Sequence, residues 1–336
     1  MNSHLMQVIN EFDKQKILVI GDVVADIYLQ GKISRISREA PVLVLEHTGE
    51  KIVPGGAANA VHNTATLGGQ VYAVGIIGDD SAGIGLAGTL QEKGVITAGL
   101  VRDGERSTIT KTRVVAGGLA TVSQQVVRID RESKTPVSSQ TEQSLLKYIK
   151  GMIQQVSGVV MSDYGSGTIS ADIRAFIIEK CRQLNIPCVV DSRYDILKFT
   201  GVGYVKQNEA EAAAAANMDI ISESNILDAG KLLLDKLQAD GVLITRGGEG
   251  MSLFEANGAV HHIPVTNRSE VFDVSGAGDT AVAAMILALA AGAAPVLACQ
   301  LANFAAGIAV KKLGTATVTA AELKQAIGDY YDHCEK

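Results

Sequence analysis

Apolar residues occur along this chain in short unbroken runs, each followed by a stretch in which they recur every three or four positions. Lys16–Gly21 is such a run, as expected of a strand whose sheet is covered on both faces. Further runs occupy Gln70–Ile77, Val159–Ser162, Pro187–Asp191, Gly203–Lys206 and Gly241–Thr245. Between them, helical spacing predicts helices over Gly56–Leu67, Ser81–Lys93, Glu142–Gln155, Ser170–Leu184, Asn208–Ala216 and Ser224–Gln238, with a short one over Leu5–Phe12. Strands alternating with helices predict an α/β fold: a doubly wound, mostly parallel sheet flanked by helices.

Two segments break the alternation. Asp26–Glu46 and Thr108–Asp130 carry strand-like stretches, at Val42–Leu45, Thr108–Val114 and Val122–Arg128, with no helix inside either segment. They predict a small antiparallel β-flap, a lid built from about residues 24–47 and 108–130 over one end of the sheet. Such a flap can close over a substrate and exclude water, and its apolar face suits a homodimer contact. The apolar run Thr280–Val310 is divided by Gly292 and Pro295 into pieces too short to span a bilayer, so it reads as two buried helices.

Composition narrows the class without naming a chemistry. The 336 residues are 47% hydrophobic, enough for one large α/β domain over 1–336, and the net charge of −6 offers no footprint for nucleic acid or an anionic membrane. Cys181, Cys188, Cys299 and Cys334 are scattered and read as reduced thiols. His261-His262 suits a loop or strand pair better than a metal site, and the first residues lack the layout of a signal peptide. A cytoplasmic protein is the expectation.

Candidate chemistry concentrates near the C-terminus. Asp273-Val274-Ser275-Gly276-Ala277-Gly278-Asp279-Thr280 precedes an apolar helix. The Gly276-Ala277-Gly278 backbone can approach an anion at the positive end of that helix, with Asp279 beside it as a base. Gly55, Gly56 and Asn59 form a second site at a strand-to-helix transition, where a polyhydroxy ligand could approach the backbone. Asp22 and Asp26 lie near the carboxyl end of the first strand, where such folds bind ligands. Asn208 and Glu211 have the spacing of a capping box, and Glu211 could equally hold hydrated Mg²⁺. Thr245, Gly247 and Gly250 follow a strand and suit a nucleotide. No G-x-x-x-x-G-K-[ST] occurs, which excludes a P-loop, and no G-x-G-x-x-G follows the first strand.

The stretch from Asp273 to Ile286 resembles the C-terminal signature of the PfkB, or ribokinase-like, sugar kinases. Gly56, Asn59, Gly68 and Gly78 match the N-terminal signature, with Val61 where the family prefers a small residue, and Asn208-x-x-Glu211 resembles its Mg²⁺-associated motif. Within the family, Gly21–Asp26, Ser34–Val42, Thr110–Val114, Arg128–Asp130, Ser162–Tyr164 and Lys312–Val318 resemble the heptose 7-phosphate kinases of ADP-heptose synthesis. The resemblance implies ATP as co-substrate, Mg²⁺, and K⁺ near Asp273. It also implies Asp279 as base, with Ser275 and Asn303 among the nucleotide contacts. Asp22, Asp26, Gly55, Gly56 and Asn59 would then meet sugar hydroxyls, and Lys111, Arg113 and Arg128 a sugar phosphate. The chain carries no H-x-G-H nucleotidyltransferase pattern, and Asp191-Ser192-Arg193 stands where these kinases read Asp-Pro-Lys. A PfkB kinase for another sugar and a non-catalytic sugar- or nucleotide-sensing protein are the alternative readings.

Overall fold

The computed structural model describes residues 2–118, 121–133, 135–266 and 271–334. The larger of two sheets has nine strands, in the order β13-β12-β11-β10-β9-β8-β1-β4-β5. These are β1 (Lys16–Gly21), β4 (Gln70–Gly78), β5 (Ile96–Asp103), β8 (Gly158–Asp163), β9 (Cys188–Ser192), β10 (Tyr204–Asn208), β11 (Gly241–Thr245), β12 (Met251–Glu255) and β13 (Val260–Ile263). Pairing is parallel from β5 across to β11, and β12 and β13 join antiparallel.

Alternate residues of the central strand point to opposite cores. Ile17 and Val19 pack with α1 (Asn2–Asn10), α2 (Ala57–Thr66), α3 (Ser81–Glu92), α8 (Ala277–Ala290), α9 (Pro295–Ala309) and α10 (Ala320–Cys334). Leu18 and Ile20 pack with α4 (Ser139–Met152), α5 (Ala171–Leu184), α6 (Glu209–Ala216) and α7 (Glu223–Leu237). Burial on both faces explains the unbroken apolar runs. Several helices begin one residue after a side chain that caps them: Ser138, Ser170, Asn208 and Ser222 each accept the backbone N–H three positions on. Among the described residues no helix is long and apolar enough to cross a membrane, and the apolar run after Thr280 forms α8 and α9, joined through Gly292 at φ +84.

The flap is the second sheet, ordered β3-β2-β6-β7, from β2 (Val23–Ile36), β3 (Leu43–Gly56), β6 (Ile109–Gly118) and β7 (Thr121–Arg131). Its β2–β3 and β6–β7 pairs are antiparallel, whereas β2 and β6 run parallel. Leu119 and Ala120 of the expected lid lie outside the described residues, as does the side chain of Cys334. Cys181, Cys188 and Cys299 are buried free thiols. The edge strand β5, which carries Gly99 and alternates irregularly, has no counterpart in the sequence reading. β2 starts one residue after β1 ends, so Asp22 alone separates the large sheet from the flap.

Candidate active site

Asp279 sits in the first turn of α8, 9% exposed, where the strand ends of the large sheet meet the base of the flap. Asn59 Nδ2 donates to its Oδ2 at 2.7 Å, and the Tyr164 hydroxyl to its Oδ1 at 3.3 Å. Burial, with the Asp191 carboxylate nearby, pushes the Asp279 carboxyl up from 3.8 to about 6, against the hydrogen bond from Asn59 and the charge of Lys206. Such a carboxylate is ionised at neutral pH yet basic enough to accept a proton. The same anion and burial drive the Tyr164 phenol well above its ordinary value.

The turn into α8 depends on glycine. Gly276 has φ +80, and a Cβ there would lie 2.7 Å from Asn59 Nδ2, displacing the amide that holds Asp279. A Cβ on Gly278 would lie 2.8 Å from Lys206 Nζ, so the lysine ammonium packs directly beneath the helix start. Lys206 pairs with Asp191 at 2.8 Å, with side-chain exposures of 6% and 15%. Burial alone would lower the Lys206 ammonium, but Asp191, Glu211 and Asp279 together raise it, so it stays charged.

Beside this centre opens a cleft of about 960 Å³, lined by Lys206, Asn208, Thr245, Gly247, Gly250, Ala277, Gly278 and Asn303 among others. Of the expected nucleotide contacts, only Ser275 is not part of this lining; it is exposed, and its N–H goes to Asp273. Asn303 Nδ2 donates to the Pro264 carbonyl on the cleft wall. Asn208 and Glu211 form a complete capping box, so the capping interpretation of that spacing is realised. Glu211 is nevertheless drawn into the site, its carboxyl raised by burial against the pull of Lys206.

Several expected roles change once partners are visible. Asp22 accepts backbone N–H groups of Tyr164, Ser166 and Thr168 at 2.8, 3.0 and 3.2 Å and is 1% exposed. Both its oxygens therefore accept from the loop after β8, which gives this carboxylate a part in holding that loop. Gly55 and Gly56 make room for the protein itself: a Cβ on Gly55 would strike the Asp26 carboxylate at 2.7 Å, and one on Gly56 the Asp22 carbonyl at 2.6 Å. Asp273, expected near K⁺, accepts N–H groups from Ser275 and Gly314 at 2.9 and 3.0 Å, so it clamps two loops. The Ala277 N–H turns back to the Val274 carbonyl at 3.3 Å.

The flap cations gather on one face. Arg113 lies opposite Arg128, and Lys111 opposite Asp130, across β6 and β7. Arg113 Nη1 approaches Asp26 Oδ1 to 2.9 Å, an ion pair by distance without the alignment of a hydrogen bond, and stacks over Tyr28. Lys111 Nζ sits 5.9 Å from the Tyr164 ring centre. Arg128 forms a two-pronged pair with Asp130 at 2.7 and 2.6 Å. Arg193 is exposed against Tyr194, so the buried cation near Gly278 is Lys206. Lys206, Asp191 and Tyr164 escaped the sequence reading as site residues. The available signal was a lone charge at the centre of an otherwise uncharged strand, at Lys206 in Tyr-Val-Lys-Gln-Asn.

The sequence pattern of the pfkB family carbohydrate kinases matches residues 14–322. The chain belongs to that family. It is 42% identical over 312 residues to the bifunctional protein HldE of Citrifermentans bemidjiense, and 38% identical over 318 residues to that of Helicobacter hepaticus. These alignments take in 93% and 94% of this chain but 63% and 64% of the relatives, so the chain spans less than two thirds of their length. Among solved structures, Escherichia coli phosphofructokinase-2 in complex with potassium superposes with a TM-score of 0.74 at 18% identity, covering 94% of this chain and 99% of that one. Arabidopsis thaliana ribokinase complexed with ribose and ATP does so with 0.69 at 18% identity, covering 93% and 98%. Both show the ribokinase-like fold.

Proposed function

We propose that this chain transfers the γ-phosphoryl group of ATP to O1 of D-glycero-β-D-manno-heptose 7-phosphate, giving the 1,7-bisphosphate used in ADP-heptose synthesis. One observation carries the reading: Asp279, buried and with its carboxyl raised to about 6, stands between the cleft at the start of α8 and the flap face bearing Lys111, Arg113 and Arg128. The relatedness to HldE supports the choice of sugar.

In this reading Asp279 takes the O1 proton as the O1–Pγ bond forms and the bond from Pγ to the bridging oxygen breaks, releasing ADP. Lys206 meets the transferring phosphoryl group, and the amide end of α8 faces its charge. Asp26 contacts sugar hydroxyls and Asn59 orients the base, while Lys111, Arg113 and Arg128 receive the 7-phosphate. The cleft fits a nucleotide, since Gly247 and Gly248 face open space where a side chain would intrude. The carboxylate donors fit one hydrated Mg²⁺ at most. Asp191 is bound to Lys206, which leaves Glu211 to hold the ion through water, where it would neutralise phosphate charge. We place the protein in the cytoplasm, where ATP is supplied. We also propose a homodimer through the exposed flap residues Ile36, Leu43 and Ile129.

The test is ADP release by purified protein with Mg²⁺-ATP, comparing heptose 7-phosphate with fructose 6-phosphate, ribose and free heptose. Selective turnover of heptose 7-phosphate, lost by about 100-fold or more in Asp279→Asn, is expected. Preference for another sugar refutes the substrate and keeps the base; full activity of Asp279→Asn refutes the base.

A further inference from the structure

Behind Asp279 lies a file of buried polar groups drawn from two helices. Asn59, Asn63 and Thr280 are each 0% exposed. Donor and acceptor accounting fixes how the amides point. Asn63 Nδ2 is 3.0 Å from the backbone carbonyl of Asn59, an atom that can only accept, so the nitrogen end of Asn63 lies on that side. The same nitrogen is 3.1 Å from the Asn59 side chain, which must present Oδ1 to it. The Asn59 nitrogen is thereby turned towards Asp279, 2.7 Å away. At the far end Asn63 Oδ1 accepts from Thr280 Oγ1 at 2.9 Å, and the hydroxyl shares its proton with the Gly276 carbonyl, also at 2.9 Å.

We propose that Asn63 and Thr280 are positioning residues: they lock the Asn59 amide with its N–H end on Asp279 and so hold that carboxylate ionised and oriented to take the proton of the acceptor hydroxyl. The last clause rests on the phosphotransfer reading above; the lock itself rests on the hydrogen bonds alone. An amide free to flip would present its oxygen to Asp279 and favour the neutral acid. The other groups facing Asp279 are Tyr164 after β8, Asp191 on β9 and Lys206 on β10. Glu211 stands beside Lys206, and Lys111 and Arg193 beside Tyr164. The substitutions below touch none of these.

The experiment titrates Asp279 in the ligand-free protein by ¹³C-carboxylate NMR, with Asp279→Asn identifying its signal, and sets beside it the pH profile of kcat. The parent midpoint is expected near 6. Asn63→Leu and Thr280→Val are each expected to raise it by about one pH unit, a roughly tenfold gain in proton affinity. Thr280→Ser, which keeps the hydroxyl, should leave it in place. The acid limb of kcat should move with the midpoint and the rate recover above it. Folded Asn63→Leu and Thr280→Val proteins that titrate like the parent, or rates that fall by one factor at every pH, overturn the lock. Should Asn63→Leu fail to fold, Thr280→Val against Thr280→Ser decides. The titration involves no sugar, so a chain that ignores heptose 7-phosphate leaves this result standing. An unmoved midpoint in variants that still turn over heptose 7-phosphate overturns the lock alone.

Discussion

Replacing Asp279 by Asn should make the protein more stable while removing its base. Burial raises the folded-state carboxyl from its ordinary 3.8 to about 6. A carboxyl raised on folding binds its proton more tightly in the native state, so its favourable contribution is complete below 3.8 and is lost as pH climbs through about 6. At about 1.4 kcal/mol per tenfold in proton affinity, ionising this group in the fold costs about 3 kcal/mol at alkaline pH. Asparagine carries no charge and can still accept from Asn59, so about 2–3 kcal/mol should return. Urea unfolding of the parent and of Asp279→Asn at about pH 8 and about pH 4 measures it. The variant should be more stable at the higher pH, and the difference should shrink towards zero at the lower. A variant no more stable than the parent at pH 8, or a gain independent of pH, would refute the reasoning, because desolvation of the charged carboxylate could not then be the dominant effect.

Lys206→Met leaves Asp191 as an unpaired buried charge and is expected to cost about 3–5 kcal/mol, with most of it recovered in the Asp191→Asn/Lys206→Met double variant but no recovery of activity. Equilibrium unfolding and ADP release read both effects, and a single-variant cost under about 1 kcal/mol contradicts a desolvated pair. Asp22→Ala strands three loop N–H groups and should cost about 3 kcal/mol or more in the same unfolding assay, whereas a loss of a few tenths would return Asp22 to the substrate side.

The primary structure by itself determined the alternation of elements. Six of the nine strands of the large sheet are apolar runs, because a strand covered on both faces has no polar side to show. Ser170 and Asn208 marked helix starts for a local reason: a side chain three residues from the orphan N–H group it bonds needs no tertiary contact, although Ser138 and Ser222, which cap α4 and α7, were passed over for Glu142 and Ser224. Asp279 was legible on the same basis, since a glycine turn, an acid and an apolar helix are contiguous in the chain. The irregular edge strand β5 was not, because an edge position imposes no strict pattern. Nor was the division of labour in the site. Asn59 and Asp279 stand 220 positions apart, and Asn63 and Thr280 stand 217 apart. Nothing local distinguishes an asparagine that orients a base from one that binds a sugar. Asp22 looked free until the loop after β8 hydrogen-bonded both its oxygens, and Lys206 looked like an ordinary strand residue until β9 brought Asp191 beside it. A proton affinity, a hydrogen-bond partner and the direction of an amide belong to neighbours that only the folded sheet brings together.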